Sequence, residues 1–357
     1  MKQLYQYYPQ MEHYNSLGSM PCPYIMFKSV GSYSSDVLNT DSNGFRFSGA
    51  DGKLKPDYLE QTGSINVFTG ASAAFGVGAS SDKSTIPGFL SKETDARWVN
   101  FSGRAYTSTQ EFISFSYYRD LHPNIDNIVI FSGFNDIFLY FVSKNFNRQF
   151  GTFFNASDWM EKMNSNLRLS SLITRPLINK LLNLIYGSFD FKLISDREAF
   201  NLIFRKISIQ QIENKLLSYD YISQKNFENP AEVIDIFRRN MSNWKIMADS
   251  YNAKITYVLQ PFSNWLPNKS LTNNEKHAFD ILDNIGGQDW KNSSSNLSGL
   301  HAWYSKELSK VCYEQNIAYF DSNSFMNKNF NQDVFVDRVH LTDFSNKMMS
   351  DFIVEKI

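Results

Sequence analysis

Five short runs, each rich in β-branched and aromatic residues, constrain the fold of this chain more than any other feature. They are Ile65–Thr69, Arg97–Phe101, Asn127–Ser132, Lys254–Leu259 and Ile317–Asp321. Their apolar character is nearly continuous, not alternating, which suits strands buried on both faces. Stretches with helical spacing lie between and after them, at Thr85–Glu93, Thr107–Leu121, Ala231–Tyr251, Gly299–Gln315 and Thr342–Val354. Strands that alternate with helices imply a five-stranded parallel sheet in a three-layer α/β/α sandwich.

The alternation breaks once. About 120 residues separate the third run from the fourth, far beyond an ordinary crossover. The segment from about Ile137 to Pro230 holds apolar clusters such as Leu177–Tyr186 among many Lys, Asn and Arg. It reads as a helical insertion, either a cap packed on the sheet or a lid over a substrate pocket. Apolar helical stripes are more often core. Residues 1–62 are rich in Pro, Ser, Asn and Gly, with a turn signal at Asp41-Ser42-Asn43-Gly44. They read as an irregular lead-in that wraps a main domain over residues 63–357. The polar stretch Lys291–Ser298 reads as a solvated loop.

Charge and composition narrow the partners. Lys and Arg total 35 against 36 Asp and Glu, a formal net charge of -1. That is no electrostatic footprint for nucleic acid, and no polybasic run points to an anionic membrane. Cys22 and Cys312 lack metal-ligand spacing and read as two free thiols, so neither metal nor cofactor is expected. The first fifteen residues lack the apolar core of a signal peptide. No apolar run approaches the ~20 residues that span a bilayer. A cytoplasmic enzyme is the expectation.

An open α/β sheet binds ligands beyond the carboxyl ends of its strands. After the first run comes Phe68-Thr69-Gly70-Ala71-Ser72, continuing to Gly76 and Gly78. Ser72 sits in a small-residue turn that opens a helix, where a substrate can approach the hydroxyl and backbone N–H groups face a developing oxyanion. Taken alone, such a serine is most often an N-cap. After the third run comes Gly133-Phe134-Asn135-Asp136. The Asn135 amide can donate to an oxyanion, although Asn-Asp pairs usually form Asx turns. Near the C-terminus, Asp337 precedes His340 by three residues. An acid there can orient the imidazole through Nδ1 and leave Nε2 free to take a serine proton. The plain alternative is a surface histidine beside an N-capping acid. The other histidines are His13, His122, His277 and His301, and Asp120 near His122 falls inside an expected helix, where such side chains diverge.

Together these motifs resemble the SGNH (GDSL-type) hydrolase family over about Ile65–Ile357, with the insertion interrupting. The resemblance implies a flavodoxin-like SGNH hydrolase fold. It also implies Ser72 as nucleophile, His340 as general base, Asp337 as its orienter, and the Ser72 N–H and Asn135 side chain as oxyanion donors. The usual Gly-Asp-Ser is Gly70-Ala71-Ser72 here. The second family block should supply a further backbone N–H, and within Asn100–Gln110 both Gly103 and Ala105 compete for that role. Gly103-Arg104-Ala105 resembles carbohydrate acetylesterases of the family, which favours Gly103, and Pro23-Tyr24 and Asn43-Gly44-Phe45-Arg46 resemble its bacterial members. The implied activity is hydrolysis of a carboxylic ester, by preference a short-chain O-acetyl group on a carbohydrate. An O-acetyltransferase, a lysophospholipase or lipase, and a non-enzymatic binding module are the alternatives. Phe75, Tyr106, Phe134 and Trp265 are candidates to stack on a substrate, with core packing as their plainer use.

Overall fold

A computed structural model of the chain describes residues 3–57, 63–119, 124–142, 145–146, 150–167, 180–185, 223–224 and 230–357. The strands are β1 (Ser19–Cys22), β2 (Met26–Ser29), β3 (Ile65–Gly70), β4 (Trp98–Asn100), β5 (Ile125–Ser132), β6 (Lys254–Leu259) and β7 (Ala318–Asp321), beside a two-residue ladder between Asn145–Phe146 and Ser223–Gln224. The helices are α1 (Met11–Ser16), α2 (Ser72–Phe75), α3 (Ile86–Thr94), α4 (Ser108–Tyr118), α5 (Phe134–Val142), α6 (Ala156–Leu167), α7 (Ala231–Tyr251), α8 (Asn273–Ser298), α9 (His301–Glu314), α10 (Ser322–Met326) and α11 (Asp343–Val354).

All five expected runs are strands of one parallel sheet, with ends shifted by at most two residues. Their order across the sheet is β4-β3-β5-β6-β7. Numbered by chain position within the sheet, that is 2-1-3-4-5, the flavodoxin-like order, whose winding reverses between β3 and β5. Alternate residues of the same strands feed two cores. Val67, Ile128, Ile130 and Tyr257 face one, with Phe115, Trp244 and Leu308 from α4, α7 and α9. Phe68, Val129, Phe131 and Val258 face the other, with Leu90 and Ile353 from α3 and α11. This is why the runs carry no polar alternation: both faces are covered, and the molecule is a three-layer α/β/α sandwich. Threonines start several of the helices. Thr85, Thr272 and Thr342 accept from the Gly88, Glu275 and Ser345 amides, which satisfies otherwise orphaned N–H groups.

Two expectations change. Lys291–Ser298 is not a loop but the end of α8. The helix starts at the Thr272–Glu275 capping box and kinks at Gly287. Its polar tail then stays helical because Trp290 donates to Asp283 (2.7 Å) while Ser293, Ser294 and Leu297 are buried. That stripe is too narrow to register as an apolar pattern. The lead-in is also less irregular than its composition suggests, since it forms α1 and the antiparallel β1–β2 hairpin. Of the segment read as a helical insertion, α5, α6 and residues 180–185 are helical, and most of the remainder lies outside the described residues. So do Asp120 and His122.

The lead-in is tied down by Arg46, whose side chain is fully buried. Its guanidinium pairs with Asp82 (2.7 Å) and donates to the Tyr14 hydroxyl (2.7 Å) and to the carbonyls of Gly76 (2.7 Å) and Val37 (2.9 Å). A buried cation persists only when it is paired and hydrogen-bonded in this way. Asp41 holds the turn before it by accepting from the Asn43 (2.9 Å) and Phe45 (2.8 Å) amides, and among the described residues its second oxygen is buried without a partner.

Burial pushes the Asp41 carboxyl up to about 7, and the Asp57 charge adds to this against the opposing bonds from the turn amides. A carboxyl with an unfolded pKa of ~3.9 and a raised folded value binds its proton more tightly when folded. The stability it contributes is complete below about pH 4 and is lost as pH rises through about 7. Asp41→Asn mimics the protonated form, so its unfolding free energy from urea titrations should fall less between pH 5 and pH 8 than that of the wild type, by an amount on the order of a few kcal/mol. Equal falls in both proteins would remove Asp41 as the source.

Candidate active site

The two strands that flank the winding reversal are β3 and β5, so the crevice of the sheet opens between the turns that follow them. Ser72 and Asn135 stand on those turns. Ser72 is the first residue of α2, a single turn of helix closed by Gly76 in a left-handed conformation. Its hydroxyl is half-buried and lies 2.7 Å from His340 Nε2. His340 Nδ1 lies 2.5 Å from Asp337 Oδ2. The structure therefore brings together a serine, an imidazole and a carboxylate from opposite ends of the chain, in hydrogen-bonded sequence.

The Asp337–His340 pair rides on a hairpin-like loop. Val336 N–H donates to the His340 carbonyl (2.9 Å), Thr342 N–H donates to the Val334 carbonyl (3.1 Å), and Phe335 bridges Leu341. Asp337 shapes the tip of this loop: Oδ1 accepts from the Val339 (2.8 Å) and His340 (2.7 Å) amides, which leaves Oδ2 for the imidazole. Burial works against a charged carboxylate here. The His340 ring beside it, with bonds from that ring and the two amides, outweighs burial and holds Asp337 below the usual carboxylate range. The loop reaches Ser72 because Gly78 lets it pass. A Cβ at Gly78 would stand 2.5 Å from the Leu341 carbonyl oxygen, and the residue has φ +99°.

Two side chains that sequence reasoning missed seat this loop. Glu275, fully buried on α8, accepts from the Val334 (2.9 Å) and Phe335 (3.0 Å) amides through Oε1 and from the Thr272 amide and Lys269 ammonium through Oε2. Arg338, inside the Asp-x-x-His motif, forks onto Asp283 and donates to Asn264 (2.7 Å). Their only sequence signals were a capping-box glutamate and an arginine between two candidate residues. Neither says what it grips.

On the other side of the crevice, Asn135 is buried on α5 and donates one amide hydrogen to the Tyr106 carbonyl (2.7 Å). Among the described residues the second hydrogen of that amide has no acceptor. The expectation for Gly103 changes. Its N–H donates to the Gly70 carbonyl (3.1 Å), so it is committed to the strand-end network. A Cβ at this position would lie 2.0 Å from the Tyr106 ring, and this close packing accounts for the glycine. Ala105 instead takes a left-handed conformation (φ 58°) next to the carbonyl that holds Asn135. Among the described residues its N–H has no acceptor.

The remaining candidates are placed elsewhere. His301 pairs with Asp321 (2.8 Å) under the Trp265 ring, and His277 stacks on Tyr7. Phe75, Tyr106, Phe134 and Trp265 are all core residues. Cys22 and Cys312 are free thiols, and among the described residues no group of three or more His, Cys, Asp or Glu is arranged to hold a metal ion. No described helix is long and apolar enough to cross a membrane.

Several solved structures resemble the chain, among them two hydrolases. One is an acetyl xylan esterase, 12% identical, with a TM-score of 0.38 over 82% of this chain and 100% of that one. The other is an extracellular lipase from Streptomyces rimosus, 11% identical, with a TM-score of 0.38 over 83% of this chain and 100% of that one. No protein-family model matches the chain, and no curated protein matches it.

The seating of the loop is testable without any assay of function. Glu275→Ala strips the acceptor from the buried Val334 and Phe335 amides and from the half-buried Thr272 amide at once. It should destabilise the protein by about 3 kcal/mol or more in urea unfolding and speed amide exchange at Val334 and Phe335. A loss under ~0.5 kcal/mol would show that the loop is held by other contacts.

Proposed function

We propose that the chain is a serine esterase of the SGNH type, with Ser72 as nucleophile, His340 as general base and Asp337 as the group that orients it. The observation that carries this reading is the unbroken chain Ser72 Oγ–His340 Nε2 (2.7 Å) and His340 Nδ1–Asp337 Oδ2 (2.5 Å) at the sheet's switch point. In this arrangement Nε2 accepts the Ser72 proton while Oγ attacks the ester carbonyl carbon. Asp337 fixes the tautomer and balances the imidazolium that forms. The carbonyl π electrons move onto oxygen, where the Ser72 N–H, the Ala105 N–H and the free Asn135 amide hydrogen receive them. When the tetrahedral intermediate collapses, the C–O bond to the alcohol breaks and His340 returns its proton to the departing oxygen. Water repeats the cycle and releases the acid. Ala105 replaces Gly103 in this scheme because its N–H is uncommitted.

For the substrate we infer a short acyl group, by preference O-acetyl, on a carbohydrate. The support is the likeness of Gly103-Arg104-Ala105 to the family's carbohydrate acetylesterases and of the lead-in to its bacterial members.

A panel of p-nitrophenyl esters of increasing chain length tests both levels. Acetate and butyrate should be turned over fastest. Ser72→Ala should abolish turnover and labelling by a fluorophosphonate probe, and Asp337→Asn should lower kcat by about 10³–10⁴-fold through the wrong tautomer. Undiminished turnover in Ser72→Ala sinks the assignment. A preference for chains above about eight carbons moves the substrate to lipids, and acetyl release that requires an added sugar indicates transfer in place of hydrolysis.

A further inference from the structure

Beneath the Gly133–Asn135 turn lies a buried polar cluster that the mechanism above leaves unused. Glu111, on α4, has no solvent exposure and accepts from the Ser132 hydroxyl at 2.5 Å, at the last residue of β5. Among the described residues its other oxygen is buried without a partner, as is the Tyr257 hydroxyl. The same turn is gripped from two more directions. The Tyr304 hydroxyl donates to the Gly133 carbonyl (2.7 Å), and Asp136 accepts from the Ser108 amide (3.0 Å) and hydroxyl (2.7 Å). Gly133 has φ +112°, and a Cβ there would stand 2.8 Å from the Tyr257 hydroxyl. The turn thus fits on this bed in one way.

We propose that Glu111 is a positioning residue: through Ser132 it fixes the strand end from which the Gly133–Asn135 turn springs, and so it sets where the Asn135 amide points. The proposal rests on the esterase reading, in which that amide is an oxyanion donor. Glu111 does not touch the substrate. A core glutamate is costly to bury and is seldom retained without a purpose. Its carboxyl is pushed towards the neutral form. Burial raises its pKa well above the usual range, the Asp136 charge adds to this, and the Ser132 bond opposes it. Asp136 has more donors than Glu111, so it is the better placed of the two to carry the charge. The other titratable groups facing Glu111 are the Tyr257 and Tyr304 hydroxyls, both driven up by burial.

Steady-state kinetics on p-nitrophenyl acetate, with melting temperatures to confirm folding, decide the matter. Glu111→Gln keeps a neutral acceptor and should stay within about threefold of wild-type kcat. Glu111→Leu should lower kcat roughly 10–100-fold with KM unchanged, less than the ~10²–10³-fold of losing the donor in Asn135→Ala. On the Asn135→Ala background, Glu111→Leu should cost no further kcat, because the amide through which it acts is gone. Should Glu111→Leu fail to fold, Ser132→Ala cuts the same link and carries both comparisons. Wild-type kcat in the link-breaking variant, the same loss repeated on Asn135→Ala, or a Glu111→Gln as poor as Glu111→Leu each overturns the proposal. A wild type inert towards both ester and fluorophosphonate is a separate result: it removes the esterase reading, and the proposal with it.

Discussion

The inner strands of a parallel sheet covered on both faces spend their backbone hydrogen bonds on their neighbours, and everything else in this molecule follows from that saturation. Val67 and Phe68 on β3, like Ile128 and Val129 on β5, point into opposite cores and offer nothing polar to a ligand. Backbone groups become available to a ligand where the strands end and helices begin. The turns after β3 and β5 lie on either side of the winding reversal, so no intervening crossover covers the gap between them. Ser72 and Asn135 stand on those two turns.

Around that gap the protein spends its buried charges on posture. Glu275 seats the loop of Asp337 and His340, Arg338 clamps its flank to Asp283, and Asp136 caps α4 across the turn after β5. Each replaces a backbone contact that an irregular segment cannot make with itself. Asp337 does this within its own loop, since the oxygen that shapes the tip and the oxygen that meets the imidazole belong to one carboxylate. Loop shape and ring orientation are therefore coupled.

Much of this could be read from the chain before any coordinates. The five strands were legible because continuous apolar runs have few other uses. Ser72, Asn135, Asp337 and His340 stood out as candidates because their spacing resembles a family pattern, although spacing alone left a plain alternative open for each. What stayed hidden was what depends on distant partners. Gly103 was the natural backbone donor by residue type, and only the Gly70 carbonyl and the Tyr106 ring show its N–H and its Cα to be occupied. The tail of α8 looked like solvent because its buried stripe is mostly serine. Glu111 carried no signal at all, since an acid on a helix is usually at the surface.

Arg46 has a bearing on how the chain can be cut. Composition puts a boundary near residue 62, where turn-rich sequence gives way to the first strand of the sheet. The guanidinium nevertheless crosses that boundary to the carbonyl of Gly76, which closes the single helical turn begun by Ser72, and to Asp82 just beyond. A fragment starting at residue 63 would keep every strand of the sheet and every residue of the hydrogen-bonded trio. It would also leave Asp82 a buried anion without its cation, and α2 without the clamp on its last carbonyls. The lead-in is thus an internal wall of the domain, although it precedes the sheet in the chain.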